Sequence, residues 1–197
     1  MASPETDAID ARILKRADAL AIAWEIVGKV GTILTIGASN RPGSKQDAQA
    51  CIDKVRDFMK ANVRFKGQAH KTLLDMRAEA TRARLMGCGN CGEQTSIAFI
   101  ECVDRKIEPL DYLECDGKDE KGNDIEDHAF LVIGRREESN VSRFDPEAWG
   151  KDAVVCDAWM RRAYPCEEMA DNLKSIAPSG RFRSRYRYRT LRGFTNL

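Results

Sequence analysis

At 197 residues, 43% of them hydrophobic and 32% charged, the chain can close one full core without metal or disulfide staples, and it has a folded protein's composition. A formal net charge of +1 excludes a strong general attraction to nucleic acid or membrane surfaces. Seven cysteines leave at least one without a partner inside the chain, and they do not follow the spacing of a small disulfide framework. They are predicted to be reduced, in a cytosol-like compartment.

Residues 1–16 mix acids and bases, and the apolar run from Ala17 to Ala38 is broken by Asp18, Glu25 and Lys29. Neither a cleaved secretory signal nor a membrane span is predicted, which leaves export by another route open. Ile9, Ile13, Leu14, Leu20, Trp24 and Val27 share one helical face, so a helix is predicted over 7–29. Residues 39–44 (Ser-Asn-Arg-Pro-Gly-Ser) form a turn or loop. Residues 1–43 read either as an export or regulatory segment or as part of the core, with the main α+β domain over 44–197.

A second helix is predicted from near Ser44, with Asp47 in its first turn and a stripe of Ile52, Val55, Phe58 and Met59. Ala69, Leu73, Met76, Ala80 and Ala83 predict a third over 68–86, stopped by Gly87. A fourth should start at Cys91 and run to about Lys106. The period then changes to that of strands at Leu110 to Cys115, His128 to Arg135, Ala153 to Ala158 and Arg181 to Leu191. Residues 116–124 form an acidic loop or hairpin tip. Helices first and a mostly antiparallel sheet after them make the class α+β.

Cys91 lies in Gly89-Asn90-Cys91-Gly92-Glu93-Gln94, at the predicted helix start. A thiol is a poor nucleophile at neutral pH unless its thiolate is stabilised, and a helix N-terminus and an imidazolium both do so. His128, one of two histidines, opens a strand, and Asp157 closes the next. Alternation puts His128 on a face with Phe130 and Val132, and Asp157 on a face with Val155. That arrangement suits a thiol nucleophile, a base and a carboxylate that orients the base. The backbone N–H of Cys91 is a candidate oxyanion donor. His70 receives no role, and Trp159 is a packing residue or a shield over the His–Asp pair.

The order Cys, His, Asp, in Gly-Asn-Cys-Gly-Glu, Asp-His-Ala-Phe and Val-Val-Cys-Asp-Ala-Trp contexts, resembles the transglutaminase-like and papain-like superfamily over residues 87–165. The closer likeness is to its bacterial effector and toxin cysteine hydrolases. Ala158 stands where that pattern has proline. The resemblance implies a papain-like or transglutaminase-like fold, with Cys91 as nucleophile, His128 as base and Asp157 as orienting acid. It also implies a protease, glutamine deamidase or transglutaminase without a cofactor, whose substrate is a protein of a host or competitor cell. Such a protein resides in a bacterial cytoplasm before export without a cleaved signal peptide. Gln68, by analogy with papain-like enzymes, competes with Asn90 and Gln94 as a second oxyanion donor.

Two readings of another kind remain. Cys88 and Cys91 form a CxxC, the spacing of a metal or redox pair. Arginines at 181, 183, 185, 187 and 189 alternate with Phe182, Ser184, Tyr186 and Tyr188. That basic ridge suits either a non-catalytic module binding an acidic partner or a charged edge strand that resists aggregation.

Overall fold

The structure is a computed structural model that describes residues 14–41, 43–62, 72–118, 124–136, 145–174 and 183–190. Four helices come first: α1 (Arg16–Ile33), α2 (Ala48–Asn62), α3 (Leu73–Met86) and α4 (Cys91–Asp104). Strands β1 (Leu110–Lys118), β2 (Asp124–Ile133), β3 (Val154–Asp157) and β4 (Arg162–Pro165) follow, then a short α5 (Met169–Leu173) and β5 (Arg183–Thr190). The strands form one antiparallel sheet in the order β4-β3-β2-β1-β5. The class is α+β. No helix among the described residues is long and apolar enough to cross a membrane.

α4 is the central helix. Every residue from Glu93 to Cys102 is buried, because α1 and α3 flank it and the sheet lies beneath it. Near its C-terminal end, Glu101 is paired with Lys29 from α1 and with Arg84 from α3. Ala129, Leu131, Ile133, Val154 and Cys156 face the helices. Phe130, Val132 and Val155 face a second cluster with Trp149, Met169 and Leu173. Strict alternation along β2 and β3 separates the two cores.

Several expectations shift. α1 buries Ala19, Ala23, Ile26, Val27 and Val30, while Trp24 is half exposed. Small alanines let this helix approach β3 and β4 closely, where an indole would hold it off. α1 also continues through Gly28 and Gly31, and α2 starts at Ala48, so Asp47 precedes it. α3 starts at Leu73 because Thr72 caps it: the Thr72 side chain accepts from the Asp75 N–H, and the Asp75 carboxylate accepts from the Thr72 N–H. β2 ends at Ile133, two residues before Arg135. β4 is an additional strand. The side chains of the Arg181–Arg189 ridge lie outside the described residues, though the β5 backbone pairs along β1.

The expectation that all cysteines are reduced is overturned. Cys51 of α2 and Cys88 are joined by a disulfide. Cys88 is therefore not half of a CxxC dithiol with Cys91, and the metal or redox reading of that pair falls with it. Cys91, Cys102, Cys115, Cys156 and Cys166 stand outside any disulfide.

Candidate active site

The turn that leads into α4 is built for close packing. α3 ends at Gly87 in the left-handed conformation (φ 72°), and the Gly87 carbonyl accepts from Ile36 and Gly37 N–H groups. At Gly89 a Cβ would come within 2.7 Å of the Glu93 Cβ. The glycine is thus required by the helix's own first turn rather than by a substrate. Glu93 accepts from the Asn90 N–H at 2.9 Å and pairs with Arg56 Nε of α2 at 3.1 Å. The Asn90 Oδ1 accepts from the Ser39 N–H at 2.9 Å. Together with Cys51–Cys88, these contacts tie the turn to both α2 and the segment after α1.

Cys91 is the first residue of α4, where the helix dipole and backbone N–H groups favour a negative charge. It is half-buried, on the wall of a cleft of about 360 Å³ with Arg56, Lys60, Glu79, Tyr112 and Glu114. This volume lies in the range of small-molecule and side-chain pockets. The Arg56 guanidinium is drawn above its usual value against the cost of its burial. Glu93, then Cys91 and Asp53, supply the negative charge that does so.

The structure brings His128 and Asp157 together at 2.6 Å, Nε2 to Oδ2, and both are buried. The paired register of β2 with β3 runs from Ile133 opposite Val154 to Leu131 opposite Cys156. His128 and Asp157 meet past its end. The other Asp157 oxygen accepts from the Met160 N–H at 2.8 Å, so the carboxylate is fixed by its own turn. A carboxylate only accepts, so Nε2 carries a hydrogen and Nδ1 remains for the Cys91 thiol, which is hydrogen-bonded to the ring. Burial is the strongest influence on His128 and disfavours its charge. Asp157, by charge and hydrogen bond, and then Cys91 outweigh it and raise the imidazole from 6.5 to about 10.

Trp159 stands edge-on to His128, with ring centroids 5.4 Å apart, and its Nε1 donates to the Asn40 Oδ1 at 2.8 Å. It covers the base, held by a residue from the loop after α1. Of the oxyanion candidates, Gln94 donates from Nε2 to the Gly89 carbonyl at 2.8 Å. Asn90 donates from Nδ2 to the Ser39 Oγ at 3.2 Å. Each holds the turn with one N–H. Gln68 lies outside the described residues. Sequence reasoning missed Glu93 and Arg56; the Asn-x-x-Glu spacing from Asn90 to Glu93 was the available signal for the first. No protein-family model matches the chain, and no curated protein matches it.

Proposed function

We propose that the chain is a thiol-dependent hydrolase or acyl transferase acting on the carboxamide or peptide carbonyl of a protein. The observation that carries this reading is the line Cys91–His128–Asp157: a thiol at a helix N-terminus, hydrogen-bonded to an imidazole whose far nitrogen is held by a buried carboxylate. The raised His128 pKa favours an imidazolium beside a thiolate at neutral pH.

The Cys91 sulfur attacks the carbonyl carbon, and the new oxyanion is met by the Cys91 N–H and by a second donor from Asn90 or Gln94. As the C–N bond breaks, His128 passes its proton to the departing nitrogen and a thioester remains. Water, deprotonated by His128, completes proteolysis or deamidation; an amine in its place completes transglutamination. Asp157 keeps the ring oriented throughout. The resemblance to bacterial effector hydrolases favours a protein substrate in another cell. The Cys51–Cys88 disulfide favours action in an oxidising compartment.

The test is incubation of the protein with denatured casein and a primary amine, followed by peptide mass spectrometry. Cleavage, conversion of glutamine to glutamate, or amine incorporation should appear and vanish in Cys91→Ala. Products that persist in Cys91→Ala would overturn the reading.

A further inference from the structure

A second cavity, of about 520 Å³, borders the nucleophile turn at the start of α4. Arg41, Lys45 and Arg161 line it, together with Gln94 from the first turn of α4. Lys45 is engaged, donating to the Thr35 carbonyl at 2.7 Å. The two guanidiniums differ. Among the described residues no carboxylate forms a salt bridge with either, yet they are close enough to repel: burial and then Arg161 hold Arg41 below its usual value, with Asp157 acting against them. Two like charges sharing a cavity wall without a paired anion favour whatever anion enters.

Arg41 is held by its side chain and Arg161 by its backbone. Arg41 lies 5.3 Å over the Trp159 ring, the same ring whose edge faces His128. Arg161 ends the turn between β3 and β4 in the left-handed region, φ 57°, with its N–H on the Ala158 carbonyl. Glycine adopts that conformation without the Cβ cost, so a large cation sits where the backbone would be easier without one. Arg161 ends the turn that follows Asp157, and Arg41 lies over Trp159, so each lining arginine is one residue contact or one turn from a partner of the catalytic imidazole.

We propose that Arg41 and Arg161 form an anion subsite that receives the carboxylate of an acidic side chain lying near the attacked carbonyl in the protein substrate. The inference rests on the thiol reading of Cys91 and deepens it. The substrate class becomes an acidic segment flanking the scissile or modified residue. Planar guanidiniums recognise a carboxylate through paired N–H donors, and that recognition discriminates glutamate from its isostere glutamine.

The test uses bromoacetyl peptides that alkylate Cys91, each with a single glutamate at the first, second or third position, against glutamine counterparts. Rates of Cys91 labelling are read by mass spectrometry at low ionic strength. One glutamate position should label about tenfold faster than its glutamine counterpart, and 150 mM salt should shrink that preference. Arg41→Gln combined with Arg161→Gln should erase it, so that within that variant glutamate and glutamine peptides label Cys91 at the same rate. A glutamate preference below about twofold at every position, or one that survives the double substitution, would overturn the subsite and leave the thiol reading standing. Labelling of Cys91 no faster than that of a free cysteine peptide would remove both.

Discussion

Two buried ion pairs hold β2, one past its C-terminal end and one at mid-strand. Beyond its last residue, Arg135 grips Asp111 of β1 with both Nε and Nη2 at 3.0 Å. In the middle of the strand, His128 touches Asp157 through a single nitrogen at 2.6 Å. The first pair is bidentate and its cation keeps its proton at any pH a protein survives. The second is single-pointed and its cation can lose its proton. A sheet needing only rigidity is served by the first kind. The titratable pair is the one beside Cys91, which among the described residues is the cysteine outside a disulfide that is not fully buried. The difference separates an anchor from a proton carrier.

Breaking the second pair should do the most to chemistry. Asp157→Asn preserves volume but no longer imposes the tautomer, and should lower turnover by about two to four orders of magnitude with the fold retained. Circular dichroism beside the casein assay checks this, and near-normal turnover would deny Asp157 its orienting role.

Breaking the first pair should do the most to stability. Arg135→Met takes the bidentate partner from a buried carboxylate and should cost about 3–5 kcal/mol in urea unfolding, with activity intact below the transition. Replacing both partners by apolar residues should recover most of that loss. Loss of activity before loss of fold would erase the distinction between the two pairs.

The disulfide is a third tie of comparable size. Closing a 37-residue separation contributes about 4 kcal/mol on the chain-entropy model, so Cys51→Ala should lower stability by that order. Dithiothreitol should have the same effect on the native protein and little on Cys51→Ala.

The pH dependence is the most selective effect. The His128 pKa is raised from 6.5 to about 10, so the pair's contribution is complete below about 6.5 and is lost as pH rises through about 10. The stability difference between the native protein and His128→Gln should therefore decline across that window. The difference for Arg135→Met should stay flat there. Parallel declines would show that both pairs titrate alike.

How much of this was legible depended on whether the signal was local. The start of α4 at Cys91, the change to strand period after Leu110, and the shared faces of His128 and Asp157 follow from alternation and glycine placement. β4 did not show itself, because Arg162 to Pro165 is four residues long and ends in proline, which weakens any strand pattern. The Cys51–Cys88 bond was illegible for a deeper reason: helix α3 and much else lie between the two cysteines, and pairing is decided by the packed fold. Asn90 and Gln94 were legible as oxyanion candidates only through their nearness to Cys91 in the sequence. Their hydrogen bonds to Ser39 and Gly89 depend on how the segment after α1 meets the turn.

What separates an activated thiol at Cys91 from an ordinary one is its rate of alkylation by iodoacetamide as a function of pH, with and without His128→Ala. The comparator must be a free cysteine peptide, since burial pushes the Cys102 thiol up to about 12 and raises Cys156 and Cys166 well above the usual range. A thiolate held by His128 predicts that Cys91 reacts at pH 6 at least about tenfold faster than the peptide and loses that advantage in His128→Ala. A Cys91 rate that tracks the peptide across the pH range, or one indifferent to His128, would contradict it.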